Sequence, residues 1–238
     1  MSIEDEIRRD QPMSTEIQKL ASRLWRQVQK DGKKVVLVTS ALRGEGKSTT
    51  VAYLASALAL QPGRRIVAMD TDFRDPTLNR HFHAEIERGL ADVLRGECSV
   101  RDAVVHTVLR EGDSGLDLLL PAGDEQEPEA LLQTSKLTEV FRTLRSGYDM
   151  VLVDAPALIP VADGASIIPH CDAVILVVMA GLSTKHHLRR ARELCLGLGA
   201  EILGVVVGNV QQAAPEYMDL NYYAYAGRER RSRPRESS

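Results

Sequence analysis

The sequence predicts an α/β fold, a doubly wound and mostly parallel sheet with helices on both faces. Short apolar runs rich in β-branched residues alternate with segments of helical spacing, which is the pattern of parallel strands joined by crossover helices. A glycine-rich turn separates the first run from the following helix, and two later runs end in aspartate. At 238 residues with 44% hydrophobic composition, the chain is long enough to form one such domain.

The first apolar run, Val35 to Val38, leads into a turn with the spacing of a phosphate-binding loop. The turn reads Ala41-Leu42-Arg43-Gly44-Glu45-Gly46-Lys47-Ser48, with Ala41 in place of the usual first glycine. A strand, a glycine turn and a helix N-terminus directed at one point provide unpaired backbone N–H groups and a helix dipole for an anion. A solvated structural turn is the alternative, but the flanking strand and helix favour a nucleotide site in a P-loop NTPase-like fold.

Six consecutive loop residues are predicted to bind nucleotide: Gly44, Glu45, Gly46, Lys47, Ser48 and Thr49. Within this set, the ammonium group of Lys47 is expected to neutralise polyphosphate charge, and the hydroxyl of Ser48 is the expected Mg²⁺ ligand. The Thr49 hydroxyl is expected to hydrogen-bond the α-phosphate. The motif therefore predicts a nucleoside polyphosphate bound together with Mg²⁺.

Aspartates follow two further predicted strands. The strand over 65–69 ends in Asp70-Thr71-Asp72-Phe73-Arg74-Asp75-Pro76, and the strand over 149–153 ends at Asp154. Because ligands bind at the carboxyl ends of strands in open α/β sheets, these carboxylates should face the phosphate loop. Asp154 fits the second nucleotide motif, whose carboxylate reaches Mg²⁺ through water. An ordinary Asp-Pro turn is the alternative interpretation of the segment 70–76.

Hydrophobic periodicity places the remaining elements. An amphipathic helix is predicted over 14–29, with Ser14 as N-cap and the sheet edge as packing partner. Further predictions are short helices over 77–109, strands over 116–120, 173–178 and 202–207, and helices over 129–146, with a break near Thr134, and 184–198. Three segments result: a flexible N-terminus 1–12, a P-loop domain 13–210 and a flexible tail 211–238.

Composition restricts the classes of partner. The net charge of -3 gives no general attraction to nucleic acid. Three widely spaced cysteines without a histidine cluster indicate neither a disulfide framework nor a zinc site.

No run reaches the ~18 apolar residues that would span a bilayer, so we expect a cytoplasmic chain without direct membrane insertion. A partner would hold it at the inner face of the plasma membrane.

The C-terminal tail differs in composition from the rest of the chain. It contains four of the six tyrosines and a run of five arginines. The tyrosines are Tyr217, Tyr222, Tyr223 and Tyr225. Such a segment has too little aliphatic content to fold alone, and its hydroxyls should be accessible. The composition is equally compatible with a docking segment and with a modification site.

Together these motifs resemble the bacterial tyrosine kinases (BY-kinases) of capsule and exopolysaccharide synthesis, both the CpsD/CapB type and the cytoplasmic domain of the Wzc type. The resemblance covers roughly 34–210, with the tyrosine-rich tail beyond it. It is carried by the phosphate loop 44–49, the acidic segment 70–76, Gly89-Leu90-Ala91-Asp92-Val93-Leu94, Leu120-Pro121-Ala122-Gly123, Tyr148-Asp149, Asp154-Ala155-Pro156 with Asp163, and 204–209.

The resemblance implies an ATP- and Mg²⁺-dependent protein-tyrosine autokinase that phosphorylates the tail tyrosines of a neighbouring subunit. It also implies a homo-oligomer and a transmembrane polysaccharide co-polymerase as activator. The family's helical E-x-x-R-x-x-R oligomerisation motif is incomplete here, because Glu16 is followed by Lys19 and Ser22 at the basic positions.

The family's catalytic positions correspond to Lys47, Asp70, Asp72 and Asp154. Ser48, Asp72 and Asp154 would organise Mg²⁺, directly or through water, and Asn209 would lie near the adenine. Asp70 is the candidate to accept the tyrosine proton, although Asp70 and Asp72 could exchange these roles.

Two other functions are compatible with the same loop. One is a positioning or partitioning ATPase of the deviant Walker A group, which normally carries a signature lysine early in the loop, where this chain has Leu42 and Arg43. The other is a catalytically weak ATP-binding regulatory subunit of a polysaccharide export complex. The intact residues Lys47, Asp70, Asp72 and Asp154 favour an enzyme over such a subunit.

Overall fold

Seven strands form one sheet in the computed structural model, which describes residues 11–109, 115–122, 128–160 and 163–210. In chain order they are β1 (Val35–Ser40), β2 (Ile66–Asp70), β3 (Val104–Thr107), β4 (Leu116–Leu119), β5 (Met150–Asp154), β6 (Ala173–Met179) and β7 (Ile202–Gly208). Their spatial order is β3-β4-β2-β5-β1-β6-β7, and every neighbouring pair is parallel except β3 and β4. The predicted mostly parallel sheet is confirmed.

Helices cover both faces of the sheet. They are α1 (Gln11–Lys30), α2 (Lys47–Ala59), α3 (Leu78–Phe82), α4 (Leu90–Arg95), α5 (Val100–Ala103), α6 (Pro128–Leu132), α7 (Ser135–Gly147), α8 (Asp163–Ile167) and α9 (Lys185–Gly197), with a 3₁₀ turn, Ile168–His170, after α8. Apolar residues of α1 and α2 pack on one face, and those of α4, α7 and α9 pack on the other. The described helices include none that is both long enough and apolar enough to cross a membrane.

The central strand β1 is buried on both faces. Val36 and Val38 point into the core with α1 and α2, whereas Val35 and Leu37 point into the opposite core. This explains why the strand reads as a continuous apolar run rather than an alternating one. Each such side chain contributes about 1.5–3 kcal/mol by burial, so the strand that leads into the phosphate loop is firmly held.

The beginning of β1 is fixed by a carboxylate from the segment before β6. Asp172 Oδ2 accepts hydrogen bonds from the backbone N–H groups of Lys34 and Val35, both at 2.8 Å, and from Nη1 of Arg145 at 2.6 Å. Burial raises the pKa of Asp172, but these hydrogen bonds together outweigh burial and lower it. The network aligns β1 with its neighbour β6.

The N-terminal helix is longer than predicted. It includes Gln11 and Pro12, so Ser14 lies within the helix and is not its N-cap, and the predicted boundary between 12 and 13 falls inside the helix. Apolar periodicity starts only at Ile17 and therefore gave no signal for this first turn, in which proline is tolerated. The helix packs against α2 rather than the sheet edge. It ends as predicted near Gly32, where φ is 64° and Lys33 N–H bonds Val28 O at 2.9 Å.

The edge strand β3 was not predicted, because the segment 77–109 was interpreted as short helices throughout. Helices α3, α4 and α5 are present there, but Val104–Thr107 pairs antiparallel with β4. These four residues are only partly buried or exposed and so lack the apolar run that marks an inner strand. His106 stands opposite Asp117 in this pair, with Nδ1 2.7 Å from Oδ1.

The other predicted elements are present with shifts of one or two residues at their ends. The break near Thr134 separates α6 from α7, and Thr184 caps α9 by accepting a hydrogen bond from His187 N–H at 3.2 Å. Gly123 and the whole tail 211–238, with its four predicted phosphorylation sites, lie outside the described residues.

Gly89 makes a close backbone contact with the segment that follows β4. Leu90 N–H donates to Leu120 O at 2.8 Å, and Gly89 N–H donates to Asp92 Oδ2 at 2.8 Å. A Cβ atom at position 89 would lie 2.2 Å from Leu120 O and 2.7 Å from Ala122 N. Only glycine fits here without a backbone shift.

We expect Gly89→Ala to lower the free energy of unfolding by about 1–3 kcal/mol, because the added methyl group forces two backbone segments apart. Gly147→Ala, at the end of α7, is the matched control, since a Cβ there meets nothing within 4 Å. The control should change stability by less than about 1 kcal/mol and in the favourable direction. Urea titration followed by circular dichroism measures both, and equal midpoints for the two variants would contradict the prediction.

Candidate active site

The carboxyl ends of three adjacent strands form the floor of the site. In the parallel ladder Asp70, the last residue of β2, stands beside Asp154, the last residue of β5, and Val38 of β1 stands on the other side of Asp154. Thr71 strengthens this junction, because its N–H and hydroxyl donate to Asp154 O at 2.8 and 2.7 Å. The phosphate loop and both predicted acidic segments therefore meet at one edge of the sheet.

The phosphate loop ends in the helix start that the sequence predicts. Gly44 and Gly46 have φ values of 78° and 86°, a backbone region that favours glycine. Helix α2 begins directly afterwards at Lys47, and its first N–H groups have no intrahelical acceptors. Lys47 is only 8% exposed. The helix dipole and the lysine charge together create a positive region that suits a polyphosphate.

Two side chains hold the first half of the loop. Ser40 Oγ donates to Leu42 O at 2.7 Å, and Leu42 N–H donates to Oε2 of Glu45 at 2.6 Å. The second carboxylate oxygen of Glu45 accepts a hydrogen bond from the hydroxyl of Ser183. Glu45 was predicted to bind nucleotide, but its buried side chain is occupied by protein groups. Its backbone alone remains available to a phosphate.

Asp154 is a fully buried carboxylate with incomplete hydrogen bonding. Among the described residues, no hydrogen bond of normal length and angle reaches either of its oxygens, although the Ser48 hydroxyl is close enough to influence its charge. Burial raises the pKa of Asp154 to about 7, with Lys47 and Ser48 opposing the rise and Asp72 adding to it. A buried polar group without partners is costly, so the site is complete only with a further cationic or proton-donating group.

Asp70 and Asp72 differ in their surroundings. Asp70 is completely enclosed and accepts N–H groups from Asp72 at 2.9 Å and from Leu78 at 3.3 Å. Burial and the nearby Asp154 charge raise its pKa well above the ordinary value. Asp72 is 7% exposed, and burial raises its pKa while Lys47 opposes the rise. All three aspartates thus favour the protonated form more than a surface carboxylate does.

The residues present fit Mg²⁺ brought in with a nucleotide. No group of three or more His, Cys, Asp or Glu side chains in the part of the chain described here could hold a metal alone. Mg²⁺ commonly takes only one or two protein oxygens and completes its shell with phosphate oxygens and water. The unpartnered Asp154 oxygens, the Ser48 hydroxyl and Asp72 provide such a partial set.

One contact at the edge of the site involves a residue, His81, that was not predicted from the sequence. Thr49 Oγ1 lies 3.5 Å from Nε2 of His81 in α3. Asn209, predicted near the adenine, follows β7 with φ 58°, is exposed, and donates from Nδ2 to Ala180 O at 3.3 Å. No local pattern marks His81, since it lies 32 positions from Thr49. The predicted phosphorylation sites Tyr217, Tyr222, Tyr223 and Tyr225 are outside the described ranges.

Comparison with known proteins identifies related chains. The chain matches the AAA domain family over residues 32–186. It is 31% identical over 190 residues to the tyrosine-protein kinase YwqD of Bacillus subtilis, covering 80% of this chain and 77% of that protein. It is 29% identical over 200 residues to the tyrosine-protein kinase CpsD of Streptococcus agalactiae, covering 83% of this chain and 85% of that protein.

Solved structures share the fold. The kinase domain of VpsO superposes with a TM-score of 0.72 at 29% identity, covering 83% of this chain and 97% of that domain. The cell division ATPase MinD of Pyrococcus furiosus superposes with a TM-score of 0.64 at 26% identity, covering 79% of this chain and 80% of that chain. The predicted P-loop NTPase-like architecture is confirmed.

We expect the stability of the nucleotide-free protein to depend on pH through Asp154. Its pKa is about 7 in the folded state and near 3.8 when unfolded, so the folded state binds the proton more tightly. Stability attributable to this group therefore decreases as pH rises from about 4 to 7 and is flat above. Asp154→Asn should remove the part of the decrease that Asp154 causes and make the protein more stable at pH 8, by up to about 4 kcal/mol.

Urea titrations between pH 4 and 8, with EDTA present, measure this difference. Asp102→Asn is a control of opposite sign, because hydrogen bonds from the Ser99 hydroxyl and N–H lower the pKa of Asp102. That variant should lose stability at neutral pH, and the loss should vanish as pH falls through the folded pKa. Parallel stability curves for Asp154→Asn and wild type would contradict the prediction.

Proposed function

The chain belongs to the AAA domain family and, within it, to the bacterial tyrosine-protein kinases, and from this premise we propose that it is an ATP-dependent autokinase. It transfers the γ-phosphoryl group to Tyr217, Tyr222, Tyr223 and Tyr225 in the tail of a neighbouring copy. This modification regulates the synthesis or export of a capsular or extracellular polysaccharide. The observation that supports the proposal most is the convergence of Lys47 with Asp70, Asp72 and Asp154 at one sheet edge.

The phosphate loop supplies the binding site for the triphosphate. The N–H groups at the start of α2 and the ammonium of Lys47 face the phosphates, and Thr49 bonds the α-phosphate. Asn209, at the end of β7, lies at the adenine side of the site. Phosphoryl transfer depends mainly on positioning and charge neutralisation, so a preformed loop accounts for much of the chemistry.

Ser48, Asp72 and Asp154 would hold Mg²⁺, directly or through water, and the ion would neutralise charge that develops on the phosphate oxygens. Asp154 is suited to this task, because its buried oxygens lack other partners among the described residues. The positive charge of Lys47 favours the ionised form of Asp72 and Asp154, because it opposes the rise in the pKa of both groups.

Asp70 and Asp72 divide the remaining roles between them. A proton acceptor for tyrosine benefits from a raised pKa, and burial raises the pKa of both groups. Asp70 was the first candidate from sequence, but it is enclosed and already accepts two backbone N–H groups. The greater exposure of Asp72 favours Asp72 as the group that meets the incoming hydroxyl, and in that case Mg²⁺ would be left to Ser48 and Asp154. Asp70 then fixes the position of Asp72 through the Asp72 N–H.

The proposal includes two kinds of partner. A second copy of the chain provides the substrate tail, and a transmembrane polysaccharide co-polymerase recruits the kinase to the inner face of the plasma membrane and increases an activity that the kinase already has alone. The relatives named as tyrosine-protein kinases support the enzyme, and the family resemblance supports the activator.

A hydrolysing ATPase is the second candidate function, and the similarity to the cell division ATPase MinD favours it. Leu42 and Arg43 stand against it, because the deviant Walker A group carries its signature lysine in this part of the loop. A regulatory subunit without activity is the third candidate. Phosphotyrosine formation separates the kinase from both.

We expect purified protein incubated with ATP and Mg²⁺ to accumulate phosphotyrosine in its tail. Lys47→Ala should reduce this at least 100-fold, because charge neutralisation and positioning of the phosphates are lost. Changing the four tail tyrosines to phenylalanine should abolish phosphotyrosine but preserve nucleotide binding. Tyr53→Phe/Tyr148→Phe, which changes the two other tyrosines of the chain, is the matched control and should retain the signal. ATP hydrolysis without phosphotyrosine would support the ATPase instead.

Mixing two variants, neither of which can form phosphotyrosine alone, tests transfer between copies of the chain. Lys47→Ala keeps the tail but lacks the catalytic lysine, and the variant with four phenylalanines keeps the lysine but lacks acceptors. We expect the mixture to restore phosphotyrosine on the Lys47→Ala chain only, at a rate that rises with the concentration of the other chain. Phosphotyrosine-specific detection on chains tagged differently in size measures this. A silent mixture together with an active wild type would indicate transfer within one chain.

A further inference from the structure

Glu45 is an unusual residue to find inside a phosphate loop. Its side chain is fully buried, and it introduces a negative charge into a loop that otherwise collects positive potential for an anion. Burying a carboxylate is costly unless hydrogen bonds compensate it. Phosphate binding does not explain why a buried carboxylate, with its unfavourable desolvation, occupies this position in the loop.

The two oxygens of Glu45 connect two separate segments. One oxygen accepts Leu42 N–H at 2.6 Å, and the other accepts the hydroxyl of Ser183, which is 138 positions away in the chain. Leu42 O is held from the other side by Ser40 Oγ at 2.7 Å. Both ends of the Leu42 backbone are thus fixed immediately after Ala41, which replaces the usual first glycine. The Leu42 N–H points into the Glu45 carboxylate and is not available to a phosphate.

Ser183 is itself anchored in the turn between β6 and α9. Its hydroxyl oxygen accepts Met179 N–H at 2.7 Å, and its own N–H donates to Met179 O at 2.9 Å. The next residue, Thr184, is the N-cap of α9. In the same turn Ala180 N–H donates to Gly208 O at 3.0 Å, and Ala180 O accepts the side chain of Asn209. The turn therefore touches the loop on one side and the end of β7 on the other.

We propose that Glu45 and Ser183 are positioning residues that form a strut between the phosphate loop and the β6–α9 turn and hold the loop in the shape that binds a nucleoside polyphosphate. The inference rests on the nucleotide site of the proposed function and concerns two side chains that act on it without touching the ligand. A preformed loop binds with a smaller loss of conformational entropy than one that must be ordered by its ligand. Glu45 thus contributes to affinity through Leu42, in spite of its charge.

The strut also sets the relation between the two ends of the site. The phosphates bind at the loop, whereas the turn that carries Ser183 also contacts Asn209, the residue placed at the adenine side. A substitution that removes the hydrogen bond between Glu45 and Ser183 should therefore weaken binding of the whole nucleotide, while Lys47, Ser48 and the aspartates stay in place. This distinguishes a positioning role from a direct contact with phosphate.

A double-mutant cycle on the full chain tests the strut, with binding of a fluorescent ADP analogue and Mg²⁺ as the measured quantity. We expect Ser183→Ala to raise the Kd about tenfold in the wild-type background. In the Glu45→Ala background, whose own Kd is about 10- to 100-fold higher, the same change should raise it less than twofold, because the strut is already absent. Glu45→Met, which has a similar volume but a side chain that forms no strong hydrogen bond, replaces the Glu45→Ala background if that variant does not fold.

Two further variants separate positioning from a general loss of structure. Ser183→Thr keeps the hydroxyl and should restore affinity to within about threefold of wild type. Ser56→Ala is the matched serine control, because Ser56 Oγ in α2 is buried but has no hydrogen-bond partner among the described residues. Its Kd should not change.

Independent and additive effects of Glu45→Ala and Ser183→Ala would overturn the inference, as would an unchanged Kd in both. A wild-type chain that binds no nucleotide would instead contradict the proposed function itself. Because the measurement is binding and not phosphotyrosine, an inactive kinase that still binds nucleotide leaves the cycle interpretable.

Discussion

The site depends on one electrostatic constraint, the gathering of carboxylates around the buried lysine Lys47 at the carboxyl ends of the strands. Parallel pairing of β2, β5 and β1 places Asp70 and Asp154 side by side, and Asp72 follows two residues later. Burial raises the pKa of all three carboxyl groups, the Asp154 charge adds to the rise for Asp70 and the Asp72 charge adds to it for Asp154, and Lys47 opposes the rise for Asp72 and Asp154. Such an arrangement is unfavourable by itself, so the rigid sheet beneath it must hold the charges together against their repulsion.

The sheet meets this requirement because its central strands are buried on both faces. Side chains of α1 and α2 pack on one side and those of α4, α7 and α9 on the other, so the strand ends have little freedom to separate. Backbone bonds reinforce the junction, since Thr71 donates twice to the carbonyl of Asp154. The free energy gained by burying apolar side chains of the strands and helices therefore offsets the unfavourable free energy of burying carboxylates at the strand ends.

Much of this architecture can be predicted from sequence, because its signals are local. The strand, turn and helix around Lys47 lie within a few residues of one another, and aspartates at strand ends identify Asp70 and Asp154 without knowledge of the fold. The contact between Glu45 and Ser183 could not be predicted, because nothing in either segment encodes a partner 138 positions away. Strand β3 and the first turn of α1 were missed for a related reason. Both are only weakly apolar, and their structure depends on neighbours rather than on their own periodicity.

The close approach of Gly89 to the segment after β4 has a consequence for how this fold tolerates change. The two atoms nearest to position 89 belong to the main chain, the carbonyl oxygen of Leu120 and the amide nitrogen of Ala122, and the methyl group of Ala122 is next. Because every amino acid carries that carbonyl oxygen, the junction itself places no demand on which side chain occupies position 120. Position 89, in contrast, must be glycine. The docking of α4 therefore constrains the residue type at position 89 but not the side chain at position 120.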